Sequence, residues 1–534
     1  MSSVSTQLIA VVIQERFGKT PTAVAKVLTK GALPLPLIAR ELTANVKLGK
    51  IRRALATLVH SELVTFRLGD GNRVIYQLER SRVLNLLRIP RVCQILNECY
   101  GSLGTSVFLE YVMNGKLTYT KCVSQIAMRG EEEVSKIRDI FHKFIDTHLL
   151  KRCFEMIHDA YDCPVFADHS AEPFKIPNIF FEDSILDFIE KPGDAKKTEG
   201  TSGEQTRKRK HEDGKAEAPD AKILWCIDWN RVDRMLRDYI VRETIANCNI
   251  SEFVCKSASD AFIQLCQTRC ELYAFSSSPT PVNDIIRATK DFHPSMDKYS
   301  IERALKILHE DSKGVIRRTG DSAGGLYTLD YERAVTLACE LQVESFIREK
   351  LGERALRIFK LLRQKGFLEE EQIEKLVMMS AKETRELTYA LVDAGFVSIR
   401  HISKTNDFAP ARTFYLYHVN MHSVVHNMLN TATKFVHNLI ARRIHGAKRH
   451  AGLLEQSERL EEILKKIRES DNLSAEEKEE QEQDIRESYI SKEDAVFLDK
   501  YGNAIRTAGL VEVLQVDAVT MFEQFLMFSK RRLS

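Results

Sequence analysis

The chain has 534 residues, 44% of them hydrophobic and 29% charged, and its 78 Lys and Arg against 75 Asp and Glu leave a net charge of +3. That mix supports three to five buried cores at roughly 100 to 200 residues each, and it excludes both a uniformly basic coat and a disordered polyacid. Eleven cysteines with no CxxC pair argue for reduced thiols, no stretch reaches the ~18 apolar residues of a membrane span, and the apolar run 8–13 lacks the basic lead of a secretory signal.

Charge is uneven along the chain. Residues 1–80 carry twelve Lys and Arg against five acids, a local +7, whereas 453–499 hold sixteen acids and seven bases. A basic head and an acidic tail point to different partners at the two ends.

The first eighty residues read as short helices at 7–17, 22–30 and 38–42, then the amphipathic helix KIRRALATLVHSELVTFR and a hairpin, LGDGNRVIYQLE, turned at Asp70-Gly71. In that helix Ile51, Leu55, Leu58 and Val59 fall at i, i+4, i+7 and i+8, on one face. The arrangement recurs. A second copy has Ile137, Phe141, Phe144 and Ile145, a third Ile301, Leu305 and Leu308 with a hairpin through Gly324-Gly325, and a fourth Leu387 and Leu391, returning as RTFYLYHV. Two or three helices followed by a β-hairpin is the pattern of a winged helix, and internal repetition strengthens that reading.

Aligned at Ile51, Ile137, Ile301 and Thr384, copies two and three stand 164 residues apart, against 86 and 83 for the other intervals. Residues 191–220 contain no Val, Ile, Leu, Met, Phe, Tyr, Trp or Cys, so we expect an unstructured insertion there that splits the second hairpin, whose return strand is expected at 223–227. Two basic clusters inside it, Lys196-Lys197 and Arg207-Lys208-Arg209-Lys210, have the form of a bipartite nuclear-import signal and equally of a solvated charge run.

After about residue 420 the period changes. Leu453, Leu460 and Ile467, with Ile463 between them, mark a coiled-coil seam. A break at Asp471-Asn472-Leu473 precedes the capping box Ser474 to Glu477, implying two antiparallel helices. The apolar stretch 510–528 requires a docking surface, on that hairpin or on another subunit. The expected fold class is mainly α with small β-hairpin wings (α+β): tandem winged-helix domains followed by an antiparallel coiled coil. The expected domains are 1–85, 86–230 with an insertion at about 170–221, 231–340, 341–420, and 421–534 for the coiled coil and the apolar C-terminal helix.

The common phosphate-loop, dinucleotide, zinc-protease, hydrolase and zinc-ribbon signatures are missing, so no catalytic residue and no cofactor is assigned. His418, His422 and His426 recur at i, i+4 and i+8, and Cys266 and Cys270 at i, i+4. Neither set has the further ligand that completes a tetrahedral site, and no metal is assigned. The basic residues of the first copy carry more weight. Lys47, Lys50, Arg52 and Arg53 lie on or beside the helix face away from Ile51, with Arg67 and Arg73 on the wing, a set suited to clamping phosphates. A solvated face or a protein contact is the competing reading. Side chains suited to bidentate base readout are not evident, which disfavours a sequence-specific repressor. A second cluster, Arg442-Arg443 and Lys448-Arg449 with His445 and His450, reads more readily as solvated charge than as a contact to nucleic acid or an acidic partner.

With this order in hand, the chain resembles the third-largest subunit of RNA polymerase III, related to the large subunit of the factor TFIIE. The likeness is carried by QERFG at 14–18, KIRRALATLVHSELV at 50–64, RVLNLLRIPR at 82–91, VMNGKLT at 112–118, THLLKRC at 147–153 and LWCIDWNRVDRMLRD at 224–238. The second half matches mainly in architecture. The resemblance implies a non-catalytic nuclear polymerase subunit serving transfer RNA and 5S ribosomal RNA synthesis. It implies a heterotrimer with two smaller subunits on the clamp of the largest subunit, contact with promoter DNA in duplex or single-stranded form, and recruitment of the upstream initiation factor. A freestanding winged-helix DNA-binding regulator and a protein-only winged-helix scaffold are the alternatives.

Overall fold

The structure is a computed structural model that describes residues 3–42, 46–69, 73–129, 134–153, 156–158, 164–166, 173–174, 220, 223–248, 253–267, 270–271, 273–321, 324–404, 413–469, 481–482, 485–486 and 488–533. By its contacts the chain divides into two compact units, residues 16–338 and residues 1–15 with 339–534. Helix α1 (Ser3–Phe17) buries Leu8, Ile9, Val12 and Ile13. It is followed by α2 (Lys19–Leu28), β1 (Leu33–Pro34), α3 (Leu35–Leu42), α4 (Leu48–His60), β2 (Val64–Gly69) and β3 (Arg73–Leu78).

Spacing explains which face of α4 turns inward. Ile51, Ala54, Leu55 and Leu58 are buried and pack toward α2, whose Val24, Ala25, Val27 and Leu28 are buried in turn. The Leu63 N–H donates to Leu58 O at 3.0 Å, and Val64 lies opposite Leu78, both buried. The root of the hairpin is thereby tied to the helix. The sheet order is β1-β3-β2, so a third strand, two residues long, covers one edge. Its Pro34 sits where no ladder hydrogen bond is needed.

Helix α5 (Arg80–Asn114) is a 35-residue run broken at Gly101, whose φ of 73° ends one helical segment and starts the next. The second module uses the end of α5 with α6 (Tyr119–Arg129), α7 (Val134–Asp146) and β4 (Leu150–Arg152). A separate hairpin of β5 (Met156–His158) and β6 (Pro164–Phe166) follows. The chain then returns as β7 (Trp225–Ile227), antiparallel to β4, inside the span expected from sequence. Ile137, Phe141, Phe144 and Ile145 are all buried. The Phe141 ring meets Tyr119 at 5.0 Å and, edge-on, Trp225 at 5.5 Å.

Three residues of the expected insertion, 173, 174 and 220, are described. Within the proposed 170–221 range, Pro173 O accepts from the Arg152 N–H and Phe174 stacks on His148 at 4.0 Å. Asp220 is fully buried, its carboxylate accepting from the Thr120 N–H and hydroxyl at 2.8 and 2.7 Å. A single acid can be buried in an otherwise hydrophilic segment when the start of a helix supplies its donors. Residues 175–219, with both basic clusters, lie outside the described residues.

The third module comprises α8 (Trp229–Ala246), α9 (Phe253–Gln267), β8 (Thr280–Pro281), α10 (Val282–Phe292), α11 (Lys298–Asp311), β9 (Ile316–Gly320) and β10 (Leu326–Leu329). It repeats the three-strand arrangement as β8-β10-β9, and Ile301, Leu305 and Leu308 are buried. Arg237 is buried beneath the Tyr331 ring, 3.7 Å from its centroid, and its charge is met by Asp238 at 2.9 Å.

Helix α12 (Tyr331–Lys365), whose residues from Cys339 onward belong to the other unit, is a 35-residue run broken at Gly352 (φ 87°). It leads to α13 (Glu370–Val377), α14 (Ala381–Asp393), β11 (Ser398–Ser403) and β12 (Thr413–His418). The buried stripe of α14 is Thr384, Thr388 and Leu391, with Leu387 half-buried. Spacing of four and three residues, rather than hydropathy, selects that stripe: Leu391 is buried as expected, and Thr388 takes the place expected for Leu387.

Three long helices complete the chain: α15 (Met421–Arg449), α16 (Ala451–Glu469) and α17 (Lys492–Leu533). Contacts of Arg443 with Glu512, Gly446 with Tyr501 and His450 with Phe497 advance along α15 as they recede along α17, so these two pack antiparallel. This pairing is additional to the one expected across the 471–473 break: the break lies outside the described residues, and Arg468 and Glu482 on either side of it meet at 2.7 Å. On α16, Leu460 and Leu464 are buried, with Leu453, Ile463 and Ile467 only half-buried. The apolar C-terminal stretch is absorbed within this unit: Val516, Val519, Phe522, Leu526 and Phe528 are buried, and the Cys339 thiol reaches Met521 O at 3.7 Å. Phe141→Ala is expected to cost the second module about 3–5 kcal/mol, read as faster amide exchange in residues 134–146 with residues 421–449 unchanged.

Candidate nucleic-acid interface

The same helical period that buries Ile51 and Leu55 turns the basic residues of α4 outward. Lys50, Arg52 and Arg53 are exposed, and Lys47 precedes the helix at an extended N-cap (φ −64°, ψ 141°). On the wing, Arg67 lies opposite Ile75 and Arg73 opposite Gly69, and both arginines are exposed. None of the six has an ion-pair partner among the described residues. The acids of this region are committed elsewhere: Glu41 to Lys30 at 2.8 Å, Glu62 to Arg82 at 3.1 Å and Glu15 to Arg443. Glu79 accepts from the Thr65 hydroxyl at 3.2 Å. Among the described residues, which leave out Asp70 at the wing tip, the positive charge of the helix and wing is therefore uncompensated locally.

Gly115 fixes the end of α4 against the second module. Its φ is 78°, and a Cβ there would stand 2.8 Å from His60 O. Only glycine allows that backbone approach.

The second basic cluster resolves differently. Arg443 is held by Glu15 and by Glu512 at 3.4 Å. Its hydrogen bond to Glu15 strengthens its basicity, and burial pushes the Glu512 carboxyl up. His450 packs against Phe497 at 4.8 Å and Tyr501 at 5.6 Å, leaving Arg442, His445, Lys448 and Arg449 exposed. Arg443 is thus a structural tie, a role for which its neighbours in sequence offer no signal.

The three histidines do not share one helical face. His418 ends strand β12 and stacks on Phe367 at 4.7 Å, while His422 and His426 lie exposed on α15. Among the described residues no group of three or more His, Cys, Asp or Glu is placed to hold a metal ion. Cys266 and Cys270 meet as a buried pair; their mutual hydrogen bond draws the Cys270 thiol down to about 6 and pushes the Cys266 thiol up.

Residues 7–68 match the family described as "RNA polymerase III subunit RPC82 helix-turn-helix domain", and residues 343–419 match "POLR3C, C-terminal winged-helix domain". The rat protein "DNA-directed RNA polymerase III subunit RPC3" is 29% identical over 488 residues, covering 87% of this chain and 88% of the relative. The human protein of that name is 29% identical over 486 residues with the same coverage. The Dictyostelium discoideum protein is 24% identical over 261 residues, 46% of this chain and 38% of its own length. These matches support reading the chain as a third-largest RNA polymerase III subunit. The first family match spans α1 to α4 and enters β2, so it includes Lys47, Lys50, Arg52, Arg53 and Arg67 of the candidate interface and stops short of Arg73.

Replacing Arg443 with Ala should cost about 1 kcal/mol, the upper end for a half-exposed ion pair. We expect faster amide exchange in residues 3–15, with DNA affinity unchanged, which separates this arginine from the six above.

Proposed function

We propose that this chain acts in RNA polymerase III initiation, holding DNA near the opened promoter through the basic helix α4 and its wing. On those matches it is a non-catalytic subunit of that polymerase. The observation that carries the proposal is the set Lys47, Lys50, Arg52, Arg53, Arg67 and Arg73, exposed and without ion-pair partners among the described residues. Charges that no protein carboxylate neutralises are free to displace counterions from phosphates.

We assign the winged-helix domains to residues 1–85, 86–230, 231–340 and 341–420. We read the chain as part of a heterotrimer with two smaller subunits, seated on the clamp of the largest subunit and recruiting the upstream initiation factor. Its work is then nuclear, and Lys196, Lys197 and Arg207 to Lys210 are the import candidates. The mechanism is architectural. Opening promoter DNA gives up stacking of about 1.4 kcal/mol per base-pair step. A subunit favours the open form only through contacts stronger with it than with closed duplex. A rigid helix and wing supply fixed charge for that purpose without reading bases.

Neutralising Lys47, Lys50, Arg52 and Arg53 to Ala together should weaken DNA binding at low salt. It should also flatten the slope of log affinity against log salt by about 0.9 for each duplex phosphate that is no longer neutralised. An unchanged slope would remove this surface from the binding account.

A further inference from the structure

Strand β2 of the first wing and the β4–β7 pair of the second module border a half-open cavity of about 300 Å³. Arg82, Lys116, Lys151, Cys153 and Cys226 line it. Strand register explains why the two sulfurs meet. Lys151 lies opposite Cys226, and the Cys153 N–H donates to Leu224 O at 2.8 Å, so 151, 153, 224 and 226 share one face of the strand pair. The two thiols are close enough to shift each other's ionisation.

Most of the surrounding charge is already committed. Arg82 is spent on Glu62 at 3.1 Å, and Lys151 is drawn toward Asp228 at 3.5 Å. Lys116 has no ion-pair partner among the described residues and stands near Cys153. The hydrogen bond from Cys226, helped by Lys116 and Lys151 and opposed by burial and Glu62, pulls the Cys153 thiol down. The same bond and burial push the Cys226 thiol up. The two shifts are opposite in direction, Cys153 toward the thiolate and Cys226 toward the thiol.

The other cysteines are less suited. Burial pushes up the thiols of Cys93 and Cys248. Cys99 is exposed, yet desolvation by the surrounding chain, with Glu98 adding to it, raises its thiol as well. Cys270 is only 6% exposed. Cys153 alone of these combines a lowered thiol with a place on an open cavity.

We propose that Cys153 is a thiol–disulfide exchange site for small anionic disulfides of the glutathione class, with Cys226 beside it on the same strand face and Lys116 as the contact for a ligand carboxylate. In the exchange the Cys153 thiolate attacks one sulfur of oxidised glutathione. A bond forms between Cys153 Sγ and that sulfur, the S–S bond of the reagent breaks, and the leaving glutathione thiolate takes a proton from solvent. No other oxidant is needed. Diagonal neighbours in an antiparallel pair stand about 7–8 Å apart at Cα, beyond the roughly 6.8 Å that a disulfide spans. The product is therefore a mixed disulfide on Cys153. The added tripeptide would lie between the first wing and the second module.

The test is to incubate the full chain with oxidised glutathione and follow each cysteine by peptide mass spectrometry. Cys153 is expected to gain one glutathionyl group about tenfold faster than the more exposed Cys99. Lys116→Ala should slow that gain by about threefold or more, and much less when neutral hydroxyethyl disulfide replaces the anionic reagent. Circular dichroism on the variant checks that the fold is kept. Modification of Cys99 at an equal or greater rate, or a Lys116→Ala rate unchanged with the anionic reagent, would overturn the assignment. Because neither readout involves DNA or polymerase, failure here leaves the transcription reading standing, and the reverse also holds.

Discussion

A two-stranded hairpin is marginal on its own in water, and every wing described in this chain lives under that constraint. The solution is the same each time: one aromatic on the return strand reaches a residue that lies just before a helix of its own module. Tyr76 faces Leu33, Trp225 bridges Leu117, Tyr327 faces Thr280 and Tyr417 bridges Leu368. That extra pairing covers an edge of the hairpin, while the apolar stripe of the preceding helix supplies the core beneath it. The second module shows the strength of the arrangement. Its two wing strands end at Arg152 and begin again at Trp225, yet the pairing survives, because Trp225 is fully buried against Phe141 and Leu117 holds its backbone on the other side.

The repeated fold carries different electrostatics in each copy. In the first, the acids near the third helix and wing are tied to Lys30, Arg82 and Arg443, which leaves that face basic. In the third, Lys298 is matched with Glu302, Arg317 with Asp330 and Arg318 with Asp321. In the fourth, Arg385 is held by Glu370 at 2.6 Å and Glu383 by Arg354. Phosphate contact needs charge that the protein has not already neutralised. In the first copy Lys47, Lys50, Arg52, Arg53, Arg67 and Arg73 meet that criterion among the described residues.

Much of this is readable from residue spacing. The buried stripes at Ile51, Ile137 and Ile301 and the return strand near 225 follow from periods of 3.6 and 2. Hydropathy points to Leu387 for the fourth stripe, whereas the helix buries Thr388 in that place. The short strands at Leu33–Pro34 and Thr280–Pro281 carry no signal, since two residues have no period. The recurring aromatic on each return strand is present in the sequence, and it emerges when the hairpins rather than the helices are aligned.

Local periodicity along the chain is enough for the helix-then-hairpin repeat, the basic character of the first eighty residues and the family likeness, because each depends on neighbours within a few turns. Pairings between distant residues cannot be had that way. Arg443 lies beside Arg442 in sequence, yet only the approach of Glu15 and Glu512 makes it a tie and leaves its neighbour exposed. Asp220 sits in a hydrophilic stretch and is buried because Thr120 offers it two donors. Cys153 and Cys226 meet only when strands separated by a long insertion align. A side chain's charge or thiol acquires its role from the groups that folding brings opposite it, and separation along the chain does not encode those groups.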